Sequence, residues 1–331
     1  MASPQYGEPL FDLASYARLG PGRRDRLSPG EIAQISRTVR RVPEVMVKVL
    51  SRGGQDLKAV GRHIDYLRDR DDGEREVETD DGRQLSGQNA TKELIEDWDL
   101  ELEARRNRSD LSARQGGSKK LVHKLLFSMP AGTPPDKVLA AVKNLAREEF
   151  GLKHRYAMVL HTDEPHPHVH MVLKAVSEQG VRLHIRKQTL RHWRQEFAQN
   201  LRALGVEANA TERAVRGETR QAKKDGIYRA GLRGKSTFLR ARTESVAAEL
   251  LKGGPRREPG KSKLTETRRQ VERGGHAASE ILTAQGQVEL AAQLQQFVSR
   301  APPPLTEREL IANALTTGAR NARQCTEPIH R

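Results

Sequence analysis

The feature that most constrains the fold is a ten-residue segment, HTDEPHPHVH, at positions 161–170. It holds four of the eleven histidines in the chain, and apolar, strand-like residues lie on both sides of it. The connection EPHP in its middle is short. We therefore expect the flanking segments, 154–163 and 168–176, to be adjacent strands of one sheet.

Side chains of a strand alternate between two faces, so residues of equal parity project together. His168 and His170 therefore share one face, and His161 and Asp163 project together from the end of the neighbouring strand. Three imidazoles placed in this way can converge on one metal ion. They leave coordination positions open for water or phosphate, which is typical of a catalytic site.

The other polar residues of the segment are predicted to support this site. Asp163 or Glu164 is expected to orient a metal ligand or to accept a proton. His166 has the parity of His168, but its flanking prolines interrupt the strand, so a loop or supporting role is equally compatible with the sequence.

The pattern of apolar residues predicts a mixture of hairpins and long helices, and hence an α+β fold with an antiparallel sheet covered by helices on one face. Residues 69–90 are predicted to be a charged loop. The predicted strands are 43–51, 121–129, 154–163, 168–176 and 181–185, and the predicted helices are 55–68, about 94–102, 134–150, 190–204 and 238–251. Residues 1–40 are predicted to be a basic flexible arm, and residues 221–331 a basic region of helix and linker with a break at 302–304.

The charge balance favours a polyanionic partner. The chain has 58 Lys and Arg against 43 Asp and Glu, a net charge of +15, and an excess of this size is typical of nucleic-acid-binding proteins, although it can also serve solubility alone. Cys325 is the only cysteine, which excludes an internal disulfide and a cysteine zinc cluster. No apolar run approaches the roughly 20 residues of a membrane span, so we expect no membrane insertion and a cytoplasmic location.

An open metal site in a basic protein suggests phosphodiester chemistry, in which water or a protein hydroxyl attacks the phosphate. Tyr156 lies five residues before His161, so it points to the opposite face of the sheet and belongs to the core. Tyr6 and Tyr16 lie in the predicted arm.

Tyr66 and Tyr228 remain as candidate nucleophiles. Tyr66 shares a helix face with Arg62, His63 and Arg70, whose charge favours a phenolate and a bound phosphate. Tyr228 lies in DGIYRAGLRG, a basic glycine-rich loop that suits contact with a backbone better.

Several segments resemble the HUH-superfamily relaxases, the mobilisation nucleases of conjugative plasmids and integrative elements, in the branch that includes the T-DNA border endonuclease. HTDEPHPHVHMVLKA resembles the metal motif, and RHIDYLRDRD at 62–71 resembles the nucleophile motif with Tyr66 as the catalytic tyrosine. The likeness covers roughly residues 43–220, so it implies a relaxase (HUH endonuclease, palm-like) domain at 41–220.

The resemblance implies that Tyr66 attacks a phosphodiester of single-stranded DNA at an origin of transfer, forms a 5′-phosphotyrosyl link and releases a 3′-hydroxyl. It implies that His161, His168 and His170 hold Mg²⁺ or Mn²⁺, and that Asp163 orients a ligand or accepts the tyrosine proton. It also implies supercoiled DNA, relaxosome accessory proteins and a type IV coupling protein as partners in a bacterial cytoplasm. The candidate DNA contacts are Arg62, Arg70, Lys174, Arg186, Arg213 and Arg216.

Three other functions are compatible with parts of the sequence. The first is an HUH replication initiator or transposase that uses Tyr228. The second is a non-catalytic, metal-containing accessory protein that only binds DNA. The third is a small-molecule metallohydrolase, which fits the histidines but not the net charge.

Overall fold

The computed structural model describes residues 25–50, 54–69, 75–87, 89–109, 119–218, 225–253, 258 and 260–326. They group into two compact units, one within residues 40–210 and the other formed by residues 25–39 and residues from 211 onward. No helix within these ranges is both long enough and apolar enough to cross a membrane.

The elements follow one another in an order close to the predicted one. In chain order they are α1 (Pro29–Val39), β1 (Met46–Leu50), α2 (Leu57–Arg68), β2 (Val77–Thr79), β3 (Gln84–Leu85), α3 (Ala90–Asp97), α4 (Leu100–Ser109), β4 (Val122–Ser128), α5 (Pro135–Phe150), β5 (Tyr156–His161), β6 (His168–Lys174), α6 (Lys187–Ala203), α7 (Asp225–Leu232), α8 (Thr237–Leu251), α9 (Gly260–Ala284), α10 (Val288–Ser299) and α11 (Glu307–Thr326).

The first unit is built on one antiparallel sheet with the strand order β1-β4-β6-β5-β2-β3. The predicted α+β class is therefore confirmed, but helices lie on both faces of the sheet rather than on one. Helices α5 and α6 cover the first face around Phe127, Trp193 and Phe197, and α2 to α4 cover part of the second around Ile64 and Trp98. Every residue of β6 is buried, as expected for a central strand with packing on both sides.

Helix α2 has the amphipathic pattern that the sequence predicts. Val60, Ile64 and Leu67 are buried against the sheet, and their spacing of three and four residues gives one apolar stripe. The Asp56 side chain accepts a hydrogen bond from the backbone N–H of Ala59, so an aspartate caps the first turn.

The loop predicted for residues 69–90 is wrong in part, because it contains the short hairpin of β2 and β3. Val77 and Leu85 are buried on the same face, and Gly82, with a φ of 82°, forms the turn between the strands. The charged residues around these two apolar positions conceal the strand pattern in the sequence.

Two other predicted elements of the first unit differ. The helix expected near 94–102 is two helices, since Asp99 has a φ of 50° and breaks the helix between α3 and α4. The strand expected at 181–185 is reduced to one isolated bridge between Val176 and Arg182.

The described part of the second unit is helical. The prediction that residues 1–40 form a flexible arm is wrong for residues 29–39. These residues form helix α1, in which Ile32 and Ile35 pack with apolar side chains of α9 and α10. Residues 1–24 of that prediction lie outside the described residues. The break predicted at 302–304 is confirmed between α10 and α11.

The glycine-rich loop predicted around Tyr228 is helix α7. Both of its internal glycines are accommodated in the helix, which ends where Lys235 N–H donates to the Ala230 carbonyl and Gly234 adopts a φ of 66°. Here the Gly-rich composition conceals a helix together with its C-terminal cap.

Replacement of Ile64 by Ala should destabilise the first unit by about 2–5 kcal/mol, because it removes a buried side chain between α2 and the sheet. Both tryptophans of the chain, Trp98 and Trp193, are buried in this unit, so urea unfolding followed by tryptophan fluorescence reports on it. Leu102→Ala, at a position that is 45% exposed, is the control and should cost under about 0.5 kcal/mol. Equal midpoints for the two variants would contradict the packing of α2.

His123 should make the first unit sensitive to acid. Burial lowers its pKa to about 4, although its Nε2 bonds the carbonyl of Leu183. Between about pH 6.5 and 4 the unfolded chain binds a proton at this position that the folded chain does not, so the free energy of unfolding falls as the pH is lowered through this window.

The variant His123→Gln removes this titration. Its stability should therefore fall less steeply than that of the wild type over the same window, by up to about 1.4 kcal/mol per pH unit. The measurement is urea unfolding at a series of pH values, and parallel curves for the two proteins would contradict the assignment.

Candidate metal centre

Three histidines converge at one end of the central strands. In the register of β5 and β6, His161 lies directly opposite His168, and His170 lies two residues further along β6. All three side chains therefore project from the face that carries α2. Their exposed fractions are 0%, 7% and 7%, and one nitrogen from each ring lies within 4.8 Å of the others.

The donor set suits a divalent ion. Nitrogen ligands bind such ions at about 2.0–2.1 Å, so two nitrogens on one ion lie up to about 4 Å apart. Small movements of the histidine side chains would bring the three nitrogens from their observed separations of up to 4.8 Å to this distance. His168 Nδ1 lies 2.9 Å from the His166 carbonyl oxygen. A proton on Nδ1 satisfies this contact and leaves Nε2 as the donor towards the ion. His166 itself is exposed, and its contribution is this carbonyl.

Arg75 and Asp163 surround the outer nitrogen of His161. Arg75 Nη1 lies 2.9 Å from His161 Nδ1, and Asp163 Oδ1 lies 3.5 Å from the same nitrogen and 3.7 Å from Arg75 Nη2. A guanidinium only donates, so in this arrangement Nδ1 accepts and the proton sits on Nε2. An ion at Nε2 requires the proton on Nδ1, and Asp163 is then the acceptor within reach.

His63 of α2 is a fourth histidine at the centre. Its ring centroid lies 6.1 Å from that of His170, in an edge-to-face arrangement, and its buried Nε2 has no hydrogen-bond partner among the described residues. Burial, assisted by the nearby charge of Lys124, lowers the pKa of His63 to about 4. The sequence showed His63 only as a basic neighbour of Tyr66. Arg75 was hidden in the charged loop.

Tyr66 follows His63 by three residues on α2, and side chains at this spacing are neighbours on a helix surface. It is 52% exposed, while the apolar stripe of the same helix is buried. The helix thus brings Tyr66 within one turn of a residue that touches a histidine of the cluster.

The other tyrosines fall into two groups. Tyr156 is buried on the opposite face and packs edge-on against Phe150, with ring centroids 6.3 Å apart, as predicted for a core residue. Tyr228 is 54% exposed on α7, in the second unit. Tyr6 and Tyr16 lie outside the described residues.

The candidate DNA contacts are dispersed. Arg62 is exposed on α2, and Arg186 immediately precedes α6. Lys174 shares the face of the histidines, but it lies about 20 Å along β6 from His168 and its Nζ pairs with Glu178 at 3.1 Å.

The three remaining candidate DNA contacts, Arg70, Arg213 and Arg216, lie outside the described part of the first unit. Arg213 and Arg216 belong to the second unit, where Arg216 bonds the carbonyl of Thr211 and the carboxylate of Glu218. Arg70 lies outside the described residues.

If the three histidines hold one ion, His170→Ala should weaken Mn²⁺ binding by more than roughly tenfold, measured by calorimetry on the full chain. His166→Ala is the matched control. This variant should bind Mn²⁺ as tightly as the wild type, because the substitution keeps the backbone carbonyl near His168 and removes an exposed side chain. Equal losses for both variants would contradict the three-histidine centre.

Comparison with known proteins agrees with this geometry. Residues 66–205 match the family model described as relaxase, MobA/VirD2-like, nuclease domain. The match begins at Tyr66 and includes the three histidines. No curated protein and no solved structure matches the chain. This part of the chain is therefore a relaxase nuclease domain of the MobA/VirD2-like family, within the HUH superfamily.

Proposed function

We propose that the protein is a DNA relaxase that nicks one strand at an origin of transfer, in the mobilisation of a conjugative plasmid or an integrative element. The observation that carries this proposal is the convergence of His161, His168 and His170 beneath the helix that bears Tyr66. The family match supports a DNA nuclease of the relaxase type.

In the proposed reaction the phenolic oxygen of Tyr66 attacks the phosphorus of a single-stranded DNA phosphodiester. The bond from phosphorus to the 3′ oxygen breaks, and the new bond joins tyrosine to the 5′ phosphate. The phenolic proton is lost, and the leaving 3′ oxygen is protonated to a hydroxyl, so no water is consumed. Because one phosphodiester replaces another, the strand can later be rejoined.

The three histidines are proposed to hold Mg²⁺ or Mn²⁺ against the scissile phosphate. Such an ion would polarise a phosphoryl oxygen and stabilise the charge that develops there. Asp163, 3.5 Å from His161 Nδ1, would accept a hydrogen bond from the Nδ1 proton that an ion at Nε2 requires and would thereby orient this ligand.

The position of Tyr66 supports it as the nucleophile. It is solvent-accessible on the helix turn next to His63, whose ring packs edge-on against that of His170. Arg62, one turn before Tyr66 on the same helix, is a cation available to a bound phosphate.

The proposal extends to partners and location. The net charge of +15 suits a strand of DNA, and basic residues outnumber acidic ones by 14 to 5 between positions 213 and 261. As partners we propose single-stranded and supercoiled DNA at the origin, relaxosome accessory proteins and a type IV coupling protein, in a bacterial cytoplasm.

Tyr66→Phe should abolish covalent attachment to DNA, because it removes the attacking oxygen. The substrate is a pool of single-stranded oligonucleotides of random sequence, incubated with the full chain and Mn²⁺ and separated on a denaturing gel. A label at the 3′ end should shift to the protein, and a label at the 5′ end should appear on a shortened free fragment. Tyr228→Phe is the matched control and should react as the wild type does.

Two outcomes would contradict the proposal. An adduct that survives in Tyr66→Phe and disappears in Tyr228→Phe would indicate the replication-initiator or transposase alternative. A wild-type protein that binds both metal and DNA but never forms an adduct would indicate an accessory protein.

A further inference from the structure

The pairing of the central strands with β1 places two lysines beside the metal centre. Lys48 of β1 lies opposite Leu126 of β4, which lies opposite His170 of β6. Residues directly opposite each other in antiparallel strands share a face, so Lys48 projects from the same face as His170, about 10 Å from it across two strand spacings.

Lys124 lies in the adjacent row on this face. It is opposite Val172 on β6, which makes it a diagonal neighbour of His170 at about 8 Å. Its side chain is largely buried under the first turn of α2, where Nζ donates to the carbonyl of Ala59 at 3.3 Å.

Arg62, a cation on α2, acts on the charge of Lys124. Arg62 and His63 of α2 both interact with it electrostatically, and within the described part of the chain no salt bridge joins Lys124 to a carboxylate. Burial and the charge of Arg62 lower the pKa of Lys124. A buried cation beside a second cation is costly, and an anion that contacts both Lys124 and Arg62 would offset that cost.

The two sides of the metal centre also differ in access. Towards β2 the face is covered by buried apolar side chains, among them Leu67, Val77 and Leu85. Towards β1 the residues of this face, Met46, Lys48 and Leu50, are half-buried. Among the described residues of this face, the β1 side is therefore the more accessible one for a long anionic ligand.

We propose that Lys48 and Lys124, together with Arg62, bind consecutive backbone phosphates of the DNA strand, so that the strand leaves the metal centre across β4 towards the edge strand β1. Lys48 and Arg62 contact the strand from the open side, and Lys124 contacts it from beneath α2. This inference rests on the proposed function for its ligand, single-stranded DNA.

The test measures binding of a short oligodeoxythymidylate to the full chain by fluorescence anisotropy over a range of salt concentrations, with EDTA present. Each lost phosphate contact should reduce the salt slope of log K by about 0.7 on a single strand. Lys48→Gln and Lys124→Met should each show this reduction. Lys92→Gln, which removes the same charge from a side chain that is 76% exposed on α3, should keep the wild-type slope.

Wild-type slopes in both Lys48→Gln and Lys124→Met would overturn the inference. Lys124→Met changes a buried residue and could fail to fold, which the absence of an unfolding transition in tryptophan fluorescence would reveal. In that case Lys48→Gln, which changes a half-buried residue on an edge strand, decides the result. Because the assay contains no free divalent ion and involves no cleavage, its outcome is independent of whether Tyr66 forms a DNA adduct.

Discussion

The register between β5 and β6 is the constraint on which the rest of the structure depends. It sets His161 opposite His168 and leaves His170 on the same face. If β6 shifted by one residue against β5, His168 and His170 would turn to the opposite face of the sheet. They would then lie in the apolar core formed with α5 and α6. Buried apolar residues on both faces of β6, such as Val169, Met171 and Leu173 on one side, oppose such a slip, so the core enforces the geometry of the polar site.

Helix α2 connects this site to the chemistry proposed for it. One stripe of the helix, with Val60, Ile64 and Leu67, is fixed against the sheet, and the neighbouring stripe presents His63 and Tyr66. The apolar packing of this helix therefore determines where the tyrosine is presented. Arg75 and Asp163 lie against Nδ1 of His161, at 2.9 Å and 3.5 Å.

Periodicity alone predicted much of this arrangement. The parity of His161, His168 and His170 gave their common face, and the separation of Tyr156 from His161 placed that tyrosine in the core. Arg75 and Lys124 were not predicted, because their roles depend on contacts between residues far apart in the chain. The helices α1 and α7 were not predicted, because the glycine and arginine content of these segments is typical of loops. Their stability comes from packing and capping, which composition does not show.

The proposed reaction requires that Tyr66 is the residue that reacts beside the three-histidine centre. The most direct measurement is to trap the protein–DNA adduct from single-stranded DNA, digest it with trypsin and nuclease, and locate the nucleotide by mass spectrometry. We expect a nucleotide phosphate on the peptide HIDYLR, residues 63–68. A nucleotide on DGIYR, residues 225–229, or on any other peptide would contradict it.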